Sequence, residues 1–372
     1  MVKKITILVA LFALAHNALA QKQCAVNEGD TLAIKSERLY LDTNFNFDFD
    51  NMEYLGSELA EPATLFGLSL SPALRYEWDS KHNLSVGVDM QKMFGSPHFL
   101  DDINLIAYYQ FCNENYGATA GLFRRDKLIG RYSEAFFSNA WLVENRVMQG
   151  MALHYLDNRG FVEFALDWNG MYSTTTREQF YALVSGEGRF AKVLYAGATA
   201  EMHHYAHRAD MERSVVDTFL VNPYIGADFK AFFDFDIRLG YLQSFQRDRH
   251  ACKGWTYPMG GELFFRMSRW GVFISNNLYV GKNILPLYHV VAWEGTIYGS
   301  DLYAADPFYG TTNGISNRTG IGYERNFGKE RIKVKAEFVL KTDGERLYNQ
   351  QIISLAVNLS PKLYDKNNKR IK

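Results

Sequence analysis

From Leu41 to Asp50 the chain reads Leu, Asp, Thr, Asn, Phe, Asn, Phe, Asp, Phe, Asp. Side chains of an extended strand alternate sides, so Leu41, Thr43, Phe45, Phe47 and Phe49 share one face, and Asp42, Asn44, Asn46, Asp48 and Asp50 the other. A helix would scramble the two sets. The same period of two returns in Leu84/Val86/Val88/Met90 against Ser85/Gly87/Asp89/Gln91, and in Val162/Phe164/Leu166/Trp168 against Glu163/Ala165/Asp167/Asn169. It returns again where Leu194, Ala196, Ala198, Ala200 and Met202 oppose Glu201 and His203, and where Ile332, Val334, Ala336, Phe338 and Leu340 oppose Lys333, Lys335 and Glu337. About sixteen such segments fit between residues 39 and 360. Two-faced strands need a different medium on each side. A soluble sandwich and a membrane barrel both supply that, so the connections decide between them.

Short turns fall at Ser80-Lys81-His82, Asn158-Arg159-Gly160, Ser268-Arg269-Trp270 and Gly328-Lys329-Glu330, and longer loops occupy the intervening gaps. A sandwich has no reason to sort its loops this way. An outer-membrane barrel has short periplasmic turns and long extracellular loops, which predicts a transmembrane antiparallel up-and-down β-barrel with both chain ends in the periplasm. Two loops are too long and too aromatic to be plain connectors. One is Asp126 to Val147, with Tyr132, Phe136, Phe137 and Trp141; the other is Lys282 to Ile315, with Trp293, Phe308 and Tyr309. The first, as third outer loop, fits equally a constriction folded into the pore and a cap over it.

Residues 1–20 stand apart. Lys3 and Lys4 precede an apolar run from Ile5 to Ala15, and Ala18-Leu19-Ala20 is a small-x-small cleavage site, the pattern of a secretory signal peptide. No later apolar run approaches the roughly 18 residues of a helical span, so membrane crossing falls to the strands. Aromatic residues make up 15% of the chain, with 29 Gly and only 8 Pro, a mix suited to strands and interfacial belts. The formal net charge of -1 excludes nucleic acid as a partner. Outer-membrane lipid and small hydrophilic solutes are the expected partners; monomer and homo-trimer fit equally. Residues 21–38 read as a periplasmic segment and 361–372 as a basic, disordered tail. Three cysteines, Cys24, Cys112 and Cys252, leave at least one without a partner inside the chain and carry no metal or redox spacing.

This layout resembles Gram-negative porin-like outer-membrane proteins over nearly the whole mature chain. Fragments such as Asn51-Met52-Glu53-Tyr54 and Leu166-Asp167-Trp168-Asn169-Gly170 are similar to uncharacterised Bacteroidota barrels. The resemblance implies an outer-membrane location. One departure is that Tyr364 is followed by eight further residues, where such barrels often end on an aromatic one.

In a barrel of this size the polar faces line the lumen. The expected lining comprises Asn44, Asn46, Asp48, Asp50, Asp89, Glu163, Asp167, Glu201, His203, Asp228, Asp236, Arg238, Lys333, Lys335 and Glu337. Acid outnumbers base there. The surplus fits a cation-preferring channel, or ion pairs bracing a wet interior. Glu201, His203 and His207 share a strand face, but His203 and His207 lie about 13 Å apart along an extended strand, too far to grip one metal ion. Trp78, Trp168, Tyr109 and Phe327 fit interface belts, whereas Trp141 and Trp293 are better placed for ligand contact. No nucleophile motif, phosphate loop or paired-His metal motif occurs, which points away from an enzyme and from a cofactor. His204 is the outward histidine that a lipid hydrolase would use. The expected function is passive passage of small hydrophilic solutes; the alternative is a closed surface-binding or structural barrel.

Overall fold

The computed structural model describes residues 37–211, 214–250, 254–292, 297–329 and 331–366. The signal-peptide stretch, Cys24, Cys252 and Trp293 lie outside these residues. The strands follow chain order: β1 (Glu37–Glu53), β2 (Ala63–Trp78), β3 (His82–Met93), β4 (Asp102–Cys112), β5 (Tyr116–Arg124), β6 (Val147–Leu156), β7 (Gly160–Gly170), β8 (Gln179–Arg189), β9 (Leu194–Ala206), β10 (Val215–Lys230), β11 (Asp234–Asp248), β12 (Met259–Arg269), β13 (Val272–Gly281), β14 (Ile315–Phe327), β15 (Ile332–Thr342) and β16 (Leu347–Leu359). Each pairs antiparallel with the next, and β1 closes on β16 from Thr43↔Leu359 to Glu53↔Asn349. Closure leaves no open edge, the condition for strands in lipid. A short β17 (Lys362–Asp365) extends the seam along Arg38–Tyr40, with Asp365 drawing in Lys362 at 2.7 Å and Arg38 at 3.6 Å. The stretch expected to be a disordered tail therefore begins as paired strand. Cys112, at the inner end of β4, is disulfide-bonded.

The faces sort as the period of two requires. Leu84, Val86, Phe164, Val184, Leu239 and Ile353 are exposed, while Ser85, Asp89, Glu163, Asp167, Ser185 and Glu337 are buried. Grease outside and polar groups inside is the arrangement that a lipid surround selects. At the inner end, three hairpins turn through pairs with positive φ: Asp79 and Ser80 (both 54°), Trp270 and Gly271 (55° and 92°), and Gly328 and Lys329 (59° and 57°). Turns of that hand match the twist of the flanking strands and keep these connections short.

At the outer end the third loop (126–146) and the seventh (282–314) both bend into the lumen. Phe136, Phe137, Trp141, Leu285, Leu302 and Tyr303 pack there against inward-facing Ile106, Phe123, Met148, Leu183 and Leu242. The hydrophobic core of this protein thus lies inside the barrel, between two loops. Of the two arrangements open to the third loop, the inward one is adopted.

Candidate functional site: a track along β1 beside a two-loop plug

The third loop crosses the lumen. On one side, Glu163 of β7 accepts from the backbone N–H groups of Ile129 (2.6 Å) and Gly130 (3.0 Å) and from the Tyr132 hydroxyl (2.7 Å). Burial and the facing carboxylate raise the Tyr132 phenol far above its usual range, so it remains a donor. Asp167 takes the Arg125 guanidinium at 2.6 Å, and Arg131 reaches Glu187 at 2.7 Å. On the far side Asn139 donates to Asp50 of β1 (2.8 Å), Gln91 of β3 donates to the Val143 carbonyl (3.2 Å), and Arg146 meets Asp89 (2.6 Å). Asn139 opens a short helix, Asn139–Glu144, capped where the Ser138 hydroxyl accepts from Trp141 N–H at 3.1 Å.

The seventh loop is fastened on the opposite wall. Gln246 donates to the Ile284 carbonyl (2.6 Å), the Tyr298 hydroxyl donates to Asp248 (2.8 Å), and the Tyr309 hydroxyl donates to Glu262 (2.5 Å). Lys341 of β15 pairs with Asp306. The two loops also hold each other. Ser138 N–H donates to the Ala304 carbonyl (2.7 Å), Asp306 N–H to the Glu134 carbonyl (2.8 Å), and Arg318 of β14 bridges Glu134 (3.1 Å) to Glu337 (3.0 Å).

Three cavities follow β1. An outer cavity of about 220 Å³ is bordered by Met52, Tyr54, Trp141, Glu144 and Lys341; a middle one of about 360 Å³ by Asn46, Asp48, Arg124, Arg125 and Arg146; an inner one of about 210 Å³ by Asp42, Asn44, Arg124 and Asn358. Middle and inner cavities share Arg124 and Asp126. Between outer and middle the inner face of β1 presents Asp50, 1% exposed and clasped by Asn139 and by Gln350 (2.6 Å). That clasp is the pinch in the track.

The other expected lumen residues stand on the inner face, and the structure gives them partners that the strands alone did not reveal. Asp89 is met by Arg124 and Arg146, Asp236 by Arg131 (3.4 Å), Asp228 by Arg189, Glu337 by Arg318 and Lys335, and Lys333 by Glu324. Arg238 lies over the Tyr224 and Phe264 rings. The acid surplus is thus offset in part by Arg131 and Arg146, which the third loop carries inward and sequence spacing could not assign, and otherwise by bases on the strands themselves, Arg124, Arg189, Arg318, Lys333 and Lys335. His203 stacks on Tyr181 (3.9 Å between centroids) and faces the Leu302 carbonyl at 3.0 Å, two positions from half-buried Glu201. His207 faces the Ser214 carbonyl at 3.2 Å. No His/Cys/Asp/Glu group among the described residues is arranged to hold a metal.

The aromatic loop residues divide between packing and lining. Phe136 and Phe308 are 1% and 2% exposed, and Phe308 is wedged between Tyr54 and Tyr348 at 5.1 and 5.6 Å. They and Tyr309 are packed inside the lumen, Phe136 beside Tyr132 of its own loop and Tyr309 against Tyr279 of β13 at 5.2 Å. Tyr132, Phe137 and Trp141 border the cavities as well as packing.

A closed barrel with apolar exterior, polar wall and loop-filled lumen is an outer-membrane barrel. The chain belongs to the Lipid A 3'-O-deacylase-type family, which matches residues 31–266. That membership overturns the expectation, drawn from missing nucleophile motifs, that the chain is no enzyme. Among solved structures, a loop-deletion mutant of OmpT, an outer membrane protein of Vibrio cholerae, is similar with a TM-score of 0.51 and 11% identity, covering 87% of this chain and 99% of that one. OccK1 (OpdK) of Pseudomonas aeruginosa has a TM-score of 0.46 and 8% identity, over 87% and 99%. At such identities the OmpT likeness is one of fold. No curated protein matches.

Proposed function

We propose that this protein, exported by a cleaved signal peptide, admits small hydrophilic solutes across the outer membrane by a narrow track along β1 rather than by a wide central pore. One observation carries this: three cavities, each bordered by charged side chains, descend the inner face of a single strand and are interrupted at one side-chain clasp. Asn139→Ala removes half of the clasp without touching the wall. Reconstituted wild-type barrels should give small stepwise conductance in planar bilayers, and the variant about twofold or more. Well-folded preparations silent in both forms would sink the proposal.

The family's description favours a second reading, hydrolysis of an acyl ester of lipid A. His204 sits on the lipid-facing side of β9, stacked on Phe180 (5.1 Å), with Nδ1 3.9 Å from Asp217, itself held by Arg249 at 2.7 Å. A carboxylate behind an imidazole is an arrangement for a general base. Its outward neighbours Phe180, Met202 and Asp217 include no hydroxyl, so water would be the nucleophile. His204→Ala should then abolish fatty-acid release from lipopolysaccharide, read by mass spectrometry. Equal release by both forms, or none by wild type, rules this reading out.

A further inference from the structure

We infer that the middle cavity is a binding station for zwitterionic solutes of amino-acid or dipeptide size; the inference rests on the channel reading and names its substrate class. Two walls of opposite charge face this space. On β1 stands Asp48, whose carboxylate, alone among the acids on the inner face of that strand, meets neither a hydrogen-bond nor an ion-pair partner among the described residues. Asp42 has Arg75, and Asp50 has Asn139 and Gln350. On the other wall are Arg124, Arg125 and Arg146.

Two of these guanidiniums are only partly satisfied. Arg125 uses Nε and Nη2 on the Asn145 carbonyl and Asp167, and its Nη1 is buried without an acceptor. Arg146 uses both Nη atoms, on Val143 and Asp89, and its Nε is buried without one. Their side chains are 5% and 10% exposed. Orphaned buried donors are costly, and an entering carboxylate supplies the acceptor that the chain does not.

Charge balance narrows the ligand. A simple anion can answer the open donors of Arg125 and Arg146 but leaves the Asp48 carboxylate without a counter-charge. A simple cation answers Asp48 but leaves those donors without an acceptor. A neutral sugar leaves Asp48 unanswered. A molecule with an ammonium at one end and a carboxylate at the other satisfies both walls, and Leu128, Leu142 and Val143 offer an apolar surface for a side chain.

The test uses the full chain in two assays. In liposome swelling, entry of alanyl-leucine is compared with that of its N-acetyl derivative and of a neutral sugar of similar mass; in detergent micelles, saturation-transfer NMR reads dipeptide binding directly. Asp48→Asn should lower the dipeptide-to-sugar entry ratio about fivefold and weaken NMR binding in parallel, and the N-acetyl derivative should not distinguish variant from wild type. Heat-modifiable electrophoretic mobility checks folding, and Asp48→Ser replaces the first variant if that one fails it. Absence of dipeptide binding by wild type, or equal binding by the folded variant, overturns the inference. If neither sugar nor dipeptide enters liposomes while NMR binding persists and depends on Asp48, the channel reading fails and the binding station stands.

Discussion

Gly130→Val is expected to drive the third loop out of the lumen and raise conductance several-fold. A Cβ at Gly130 would lie 2.6 Å from the Tyr132 ring, 2.7 Å from a Glu163 carboxylate oxygen and 2.7 Å from Ser185 Cβ. None of the three can retreat cheaply. Tyr132 and Glu163 are bonded to each other, and Ser185 belongs to the wall, where its hydroxyl accepts from Arg131 N–H. Overpacking of this kind typically costs about 1–3 kcal/mol, comparable with the net worth of the hydrogen bonds to Glu163 and Ser185 among which Gly130 sits. The strands are paired independently of the loop, so the barrel should persist. Limited proteolysis should open new cuts between residues 126 and 147, and single-channel steps should grow. Gly188→Ala, where an added Cβ touches nothing within 4 Å, is the control. A folded Gly130→Val barrel with unchanged conductance and unchanged protease resistance would show that the loop does not close the lumen.

How much of this was legible beforehand depended on what a period of two encodes. It encodes a face, and the face of Asp89, Glu163 or Lys335 could be placed from neighbours alone because a one-residue slip would have turned Phe164 and Val162 into the lumen. It does not encode a partner. Glu163 and Asp167 look like wall charges in the sequence, yet their oxygens are taken by a loop some thirty or forty positions earlier, at Ile129, Gly130 and Arg125. The loop's direction was equally hidden, since an aromatic segment can cap a barrel or fill it with the same composition. One signal did exist. Ile106, Phe123, Met148, Leu183 and Leu242 are apolar residues on faces that are otherwise polar, and all five are at most 3% exposed. A water-filled lumen has no use for them, so their presence indicated something greasy inside. The same logic explains why Phe308 could not be a free ligand contact: its strand-borne neighbour Tyr348 also points inward.

Lys341→Met is expected to be the most destabilising single change in the plug, and Asp306→Asn to rescue part of it. The two side chains are 5% and 9% exposed and pair directly, and the ammonium also lies 5.4 Å from the Tyr54 ring and 5.0 Å from that of Phe308. Burying such a pair gains little over apolar packing, but deleting one member leaves the other charge nearly buried at the edge of the outer cavity, at a cost of up to about 3–5 kcal/mol. Asp306 cannot simply swing out to water. It caps the turn Pro307–Gly310 by accepting from Phe308 N–H (3.0 Å), and its own N–H is tied to Glu134 of the third loop. Turning it fully toward the outer cavity that it borders means moving the seventh loop, which breaks the contacts between the loops. The single variant should therefore unfold thermally on the order of several degrees lower and pass larger currents. In Lys341→Met with Asp306→Asn, the amide can still cap the turn without a charge, so the double variant should lose less stability than the sum of the two single losses. Additive losses in the double variant would mean that the pair is not what locks the seventh loop, and would shift that role to Arg318, whose bridge from Glu134 to Glu337 ties the third loop to the wall.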